Sequence, residues 1–465
     1  MTALVIMSLV VTFAVGLQNT VYLTQLVTSA VATWRAPPAT TATTELWARQ
    51  APYAYPITIV CPAFNEELSI ADSVRALLAL NYPDYQLIVV NDGSRDRTME
   101  VLTRAFDLAP AELEPEVVLH RTETLGTWRS RSSPRLTVID KANGRKADAV
   151  NCGLGYARTP LVCVIEADSI IEPDGLLRAA EPFLTDGGEL VAVGGAIRIA
   201  NGCKVRSGQI TEVGIARAWL PRFQTVEYLR AFLMSRVAAS RWHTLTLISG
   251  AFGIFRRTAL LAIGGYDHAS MGEDLDLVMR LHRHFREKGE PYRIDFVPEI
   301  VCWTEAPGTF GGLASQRARW EQGALEVLWG QRAMFGRKRY GRIGAVALPL
   351  MLLEDVICPP LELLGWLLIP LLWAFGLLSG ELALLFFALS ALFGMFLSLG
   401  ALVHEELQLR RTPSARDLAR LTLAALAESF GYRQLNSWHR LKGIVHFFKG
   451  RKVWVPVPRA GFVQS

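Results

Sequence analysis

The chain has 465 residues, 51% of them hydrophobic, and a formal net charge of +5 from 48 basic and 43 acidic side chains. That length accommodates two or three domains, and a mean hydropathy of +0.25 is high for a purely soluble protein. The small basic surplus, not interleaved with aromatic residues, speaks against nucleic acid as a partner; the six cysteines, with no CxxC pair and no histidine at zinc spacing, read as buried reduced thiols.

Residues 3 to about 33 form a first apolar segment that ends at Trp34-Arg35 and is interrupted by Gln18 and Asn19. It has no small-residue cleavage site after a short core, which predicts an uncleaved anchor over residues 1–34. The proline- and threonine-rich stretch that follows predicts a linker over 35–55. From about 56 to 200, short apolar runs alternate with amphipathic ones. Strands are predicted at 57–64, 86–92, 136–142 and 161–168, with helices at 67–80, 96–106 and from Arg145 to about residue 157. That alternation predicts a mostly parallel sheet covered on both faces, whose ligands bind beyond the carboxyl ends of the strands. The strand ends read AFNE, NDGS, DKANGRK and EADS, four polar tips on one edge.

A second hydrophobic region, 343–404, holds two stretches long enough to span a bilayer, about 344–374 and 381–403. The first carries Glu354, Asp355, Pro359 and Pro360, which predicts a bent helix or one facing protein interior. Residues 405–465 read as an amphipathic interfacial helix around 418–435, a possible further span, and a basic tail. Basic residues at 35, 337–342, 410–411 and 449–452 place the soluble domain and the C-terminus in the cytoplasm, with three spans and an outside N-terminus.

Several short motifs carry chemistry. In NDGS (91–94), Asp92 at a strand tip can accept hydrogen bonds from a base or ribose and Gly93 permits a tight turn; the same residues also serve as ordinary turn and cap chemistry. Asn65-Glu66 and Lys146 are open in the same way. In EADS (166–169), Glu166 and Asp168 lie one residue apart at the tip of the most apolar strand. Magnesium or manganese takes one or two such carboxylates plus substrate phosphates, though a loop capped by Ser169 is the plainer alternative. MGEDLDLVMRLHRHFREKG (271–289) predicts an amphipathic helix with its acids in the first turn. There Asp274 is either a dipole-stabilised cap or a general base for an acceptor hydroxyl. In QRARW (316–320), Gln316 faces Arg319 and Trp320 at helical i+3 and i+4 spacing. An amide, a cation and a stacking platform on one face suit a sugar acceptor and a departing diphosphate, or a membrane-surface helix with a snorkelling arginine.

Together these motifs resemble the family 2 glycosyltransferases, in the membrane-embedded branch of cellulose, hyaluronan, chitin and poly-N-acetylglucosamine synthases. AFNEE (63–67), NDGSRD (91–96), NGRKADAVN (143–151), EADS, SGAFG (249–253), GED (272–274), TEAP (304–307) and QRARW occur in the family order. The resemblance implies a GT-A fold, a Rossmann-like α/β domain over 56–335. Residues 56–200 would be its nucleotide-sugar half and 201–335 its acceptor half. It implies that Glu66, Asp92, Lys146 and Glu166 contact the donor, that Asp168 ligates a magnesium or manganese ion, and that Asp274 is the base. Gln316, Arg319, Trp320, Ser249, Gly250, Thr304 and Glu305 would line the acceptor and diphosphate side.

The implied activity is inverting transfer from a UDP-sugar to a growing β-linked polysaccharide, from a plasma (inner) membrane with its catalytic domain in the cytoplasm. The implied partners are the UDP-sugar, a glycan or lipid-linked acceptor, membrane lipids and an export protein. The alternatives are transfer of one sugar to a lipid carrier and an inactive nucleotide-sugar-binding or scaffold protein. The sequence departs from the family pattern at Glu166, where the usual Asp-x-Asp reads Glu-x-Asp, and at Asn91, where many relatives carry an acid. It also lacks an FxVTxKG-type loop after QRARW and an appended regulatory domain. The last two departures argue against a close cellulose synthase and lean toward the hyaluronan, chitin and poly-N-acetylglucosamine side.

Overall fold

The computed structural model describes residues 2–35, 43–409 and 414–450. Its contacts group into two compact units, one built on 43–213 and 245–305, the other on 2–35, 214–244 and 306–450. The stretch 214–244 and the QRARW segment therefore belong with the apolar helices and not with the sheet.

The sheet unit contains β1 (Ile57–Ala63), β2 (Tyr85–Asp92), β3 (Leu108–Pro110), β4 (Thr124–Ser130), β5 (Leu136–Lys141), β6 (Leu161–Ile165), β7 (Ile170–Ile171), β8 (Leu190–Ile199), a hairpin of β9 (Lys204–Arg206) and β10 (Gln209–Glu212), then β11 (Phe252–Arg256) and β12 (Arg293–Thr304). Ten of them form one sheet in the order β3-β4-β5-β2-β1-β6-β11-β8-β12-β7. The central β5-β2-β1-β6 block is parallel, while β11 runs antiparallel between β6 and β8. β1 and β6 are nearly continuous buried apolar runs, the composition of strands covered on both faces. The Arg145–Tyr156 helix supplies part of that cover, packing Ala149 and Cys152 on Ile88, Val90 and Ile139. Pairing of Ala63 with Asn91 and of Asn91 with Asp140 brings the strand ends level. The four polar tips therefore share one edge of the sheet.

Part of the predicted linker has structure of its own: Thr43–Gln50 is a helix that buries Leu46 and pairs Arg49 with Glu181. The ELWARQ stretch is made of good helix formers, which the neighbouring prolines and threonines obscured. Residues 36–42 of that expected linker lie outside the described residues, as do Arg410, Arg411 and the basic tail from 451 onward. All six cysteines are free thiols, and burial pushes Cys61 and Cys152 up to about 12, as inert core thiols require.

In the second unit, Leu4–Arg35, Ile343–Ala374 and Gly380–Leu407 are long and apolar enough to cross a membrane. Val11 and Val15 pack on Ile369, Leu372 and Phe386, and Leu26 on Met234 and Leu397. Asn19, one of the two interruptions in the first apolar segment, donates to Leu389 O at 2.8 Å. Glu354 and Asp355 lie in a π turn, Leu352–Ile357. Pro359 and Pro360 follow directly in Cys358–Ala374, inside the continuous Ile343–Ala374 helix, so their missing N–H groups fall next to the π turn that interrupts the regular ladder. The single amphipathic helix expected at 418–435 is two helices, Ala415–Ala427 and Tyr432–Phe448. They break at Gly431, whose φ of 103° suits glycine alone.

Candidate functional site

At the tip of β2, Asp92 is buried and fully engaged. Its Oδ1 accepts from Lys141 Nζ at 2.7 Å and from Gly144 N at 2.9 Å, and Asn143 Nδ2 donates to its Oδ2 at 3.1 Å. Lys141 is 0% exposed and lies 2.8 Å from Asp148 Oδ2. Asp148 also accepts from Arg121 N and Thr122 Oγ1, both at 2.6 Å, and contacts His268 Nδ1 at 3.1 Å. Burial alone would raise the Asp148 carboxyl, but Lys141 and Thr122 override it and hold it at about 2. The immediate work of Asp92 is thus to tie the 91–94 turn to the 143–146 turn. Glu66, at the end of β1, accepts from Ser69 Oγ at 2.5 Å, while its backbone N donates to Thr98 Oγ1.

The second cluster surrounds Lys146. The sequence by itself suggests a solvated lysine. In the fold its Nζ lies 2.9 Å from Glu166 Oε1, 3.2 Å from Glu273 Oε1 and 3.7 Å from Asp274 Oδ2. Burial works against its charge, but Asp274, Glu166 and Glu273 together raise it well above the ordinary lysine range. Gly250 closes the group: a Cβ on it would collide with the Asp274 carboxylate and the Lys146 ammonium. Ser249 forms the turn into β11, its O accepting from Phe252 N. Thr304 ends β12 opposite Ile199, with Glu305 next in the chain. Four chain segments that the sequence separates (Lys146, Glu166, Gly250 and Glu273-Asp274) therefore meet at one point.

Asp168 follows β6 by three residues, buried, in a turn closed by Ser169 N donating to Glu166 O. Among the described residues no group of three or more His, Cys, Asp or Glu side chains is placed to hold a metal ion by itself. The donors that are present, the Asp168 and Glu166 carboxylates, are hard oxygens. They fit an ion such as magnesium or manganese that takes one or two carboxylates and completes its shell with substrate phosphates and water.

In the other unit, QRARW lies on the Phe310–Gly330 helix, capped by Thr309 Oγ1 accepting from Gly312 N. Gln316 and Arg319 are half-buried and Trp320 is exposed. Arg317, Ala318 and Glu321 on the same helix are buried, and the Arg317 guanidinium lies 4.6 Å from the Trp320 ring centre. Arg317 makes a bidentate pair with Glu227 at 2.8 and 2.9 Å, and Tyr432 OH donates to the same carboxylate at 2.6 Å. Arg440 joins Glu321 at 2.6 Å and Asp355 at 2.5 Å. Burial, with Asp355 adding to it, raises Glu321 to about 7 against the pull of Arg440. Lys141, Asp148, Glu227, Arg317 and Arg440 were not singled out by sequence reasoning. Asp148 stands inside NGRKADAVN and had a signal; Glu227 and Arg440 stand in no motif.

Residues 54–323 match the protein family described as glycosyltransferase-like family 2. Among curated proteins, the chain is 28% identical over 273 residues to a poly-beta-1,6-N-acetyl-D-glucosamine synthase of Staphylococcus epidermidis, covering 58% of this chain and 55% of that one. The enzyme of the same name from Staphylococcus aureus is 29% identical over 273 residues with the same coverage. The matched region spans about half the length of these relatives. Among solved structures, a mannosyltransferase from Pyrobaculum calidifontis, in complex with GDP-Man and Mn2+, superposes with a TM-score of 0.53 at 16% identity, covering 95% of this chain and 100% of that one. That likeness is one of fold.

Proposed function

We propose that this chain, which belongs to glycosyltransferase-like family 2, is a membrane-bound inverting transferase that extends a β-linked polysaccharide from a UDP-sugar and passes it toward export. The observation that carries the reading is the meeting of Lys146, Glu166, Glu273, Asp274 and Gly250. Lys146 provides a cation for the diphosphate, and Asp274 a carboxylate near enough to feel it.

In the proposed reaction Asp274 takes the proton of the acceptor hydroxyl. The acceptor oxygen bonds to the anomeric carbon from the face opposite the leaving group, the bond from that carbon to the diphosphate oxygen breaks, and UDP departs. An α-linked donor then gives a β-linked product. Asp168 would hold a magnesium or manganese ion whose chemistry is neutralisation of the diphosphate charge. Lys146, moving from Glu166 toward that charge, would assist departure. Gln316, Arg319 and Trp320 would receive the growing sugar chain on the exposed side of their helix. Glu66, Asp92, Ser249, Thr304 and Glu305 would shape the donor and acceptor surfaces, Asp92 through its hold on the 143–146 turn.

The names of the Staphylococcus relatives support N-acetylglucosamine as the sugar and a polymer as the product. Buried polar residues on the apolar helices, Gln25, Ser29, Glu362, His404 and Glu405, support a polar path along them. The basic residues flanking these helices support a cytoplasmic catalytic unit in the plasma (inner) membrane.

The test is UDP release by purified full-length protein given magnesium or manganese and, in turn, UDP-N-acetylglucosamine, UDP-glucose and UDP-glucuronate. Release with one of them is expected, and no release from any would sink the reading. Asp274→Asn should lower transfer by a factor of 10² to 10⁴ while leaving UDP binding largely intact. Product length on a gel separates a polymer synthase from a single-sugar transferase.

A further inference from the structure

Between the QRARW helix and the apolar Ile343–Ala374 helix lies a short crown of chain that the transfer chemistry does not use. It carries Arg332, Arg337, Lys338, Arg339 and Arg342, and no acidic residue occurs from 327 to 353. Arg337, Lys338 and Arg339 are consecutive and exposed. A merely solvated charge run needs no fixed shape, yet this one has two pins: Met334 before it and Tyr340 after it are both buried.

The backbone is folded back on itself. Gly336 N donates to Gly344 O at 2.9 Å, Arg337 N to Met334 O at 3.3 Å and Tyr340 N to Arg337 O at 3.1 Å. Gly336 and Gly341 turn the chain at φ of 69° and 54°. A Cβ on Gly344 would collide with Met334 O, so the close approach needs glycine there. The flank is aromatic: Trp329 is 63% exposed and Phe335 40%, and the Arg332 guanidinium lies 4.9 Å from the Trp329 ring centre. Arg342 donates to Trp242 O at 3.2 Å, and the apolar helix begins at the very next residue.

We propose that this crown is a binding site for the headgroups of anionic phospholipids, seated at the membrane surface where the Ile343–Ala374 helix enters. Three adjacent cations match phosphodiester oxygens. Exposed Trp329 and Phe335 suit the boundary between headgroups and acyl chains, where aromatic rings with one wet edge collect. Basic residues set against a membrane helix attract anionic lipid at short range. The ordered backbone makes it a shaped site and not only a signal of orientation. The inference rests on the membrane reading of that helix and not on the transfer reaction.

The experiment uses the full-length protein reconstituted in vesicles of phosphatidylcholine and in vesicles of equal parts phosphatidylcholine and phosphatidylglycerol. Retention after an alkaline carbonate wash reports insertion. Native mass spectrometry of protein released from the mixed vesicles reports which lipid it keeps. The protein should resist the wash in both vesicles and keep phosphatidylglycerol in preference. R337Q/K338Q/R339Q should reduce that preference on the order of a hundred-fold, while R337K/R339K keeps most of it. Gly344→Val retains every charge but breaks the crown, and should also lose most of the preference.

Release of the protein by carbonate overturns both the membrane reading and the site. Insertion without preference overturns the site alone, as does an unchanged preference in Gly344→Val, which would reduce the crown to bulk charge. Displacement of the lipid by millimolar glycerol phosphate would make it a site for soluble phosphate and overturn the lipid assignment.

Discussion

The sheet edge and the QRARW helix solve the same problem, holding polar side chains in place, in opposite ways. At the sheet edge the motif residues hold one another: Lys146 of NGRKADAVN pairs with Glu166 of EADS and with Glu273 and Asp274 of GED. On the helix, Gln316, Arg319 and Trp320 stay toward the surface. The fixing is done by their buried neighbours on the helix, with Arg317 on Glu227 and Arg440 on Glu321. A parallel sheet delivers its strand ends to one edge through backbone pairing, so residues there meet without further help. A helix offers its far side to whatever packs on it, and needs long-range partners to set its rotation.

The largest expected effect breaks the sheet-edge arrangement from within. Lys141→Met leaves Asp92 and Asp148 buried without their shared cation, and should cost about 3–5 kcal/mol of stability. Thermal unfolding in detergent reads this, and Asp148→Asn added to Lys141→Met should recover part of the loss. An unchanged unfolding temperature would mean that the cluster does not hold the two turns.

On the helix side the matching probe is pH. The Glu321 carboxyl sits at about 7 in the fold against 4.5 for an ordinary glutamate. A carboxyl raised by folding contributes stability that is whole below the ordinary value and lost as pH rises through the folded one. Stability should therefore fall as pH rises from 4.5 to 7, and Glu321→Gln should flatten that slope. A slope that survives in Glu321→Gln would assign it to another group.

Smaller effects sharpen the contrast. Gly250→Ala pushes a methyl group against Asp274 and Lys146, and should lower turnover on the order of ten- to a hundred-fold with little change in unfolding temperature. An equal loss of stability would place Gly250 among packing residues instead. Glu166→Asp shortens the arm that reaches Lys146 by one methylene. Turnover should fall by roughly three- to ten-fold, far less than for Asp168→Ala. Equal tolerance of both changes would overturn the assignment of the metal to Asp168.

Much of this was legible in the sequence because it depends on local pattern. Apolar runs broken by amphipathic ones determined a parallel block of strands with helices over it, and the length of the apolar segments determined three helices fit to cross a membrane. The order of AFNEE, NDGS, EADS, GED and QRARW determined the family. What only the tertiary structure decided are the pairings between charged groups. Lysine is ordinarily exposed, so nothing local marks Lys141 as fully buried between two aspartates. Glu227 and Arg317 are separated by 90 residues and share no motif. Glu166 kept the charge of the family's aspartate, but its reach to Lys146 depends on where the Arg145–Tyr156 helix sets that ammonium. Burial and Coulomb attraction act across space, and only folding determines which charges share it.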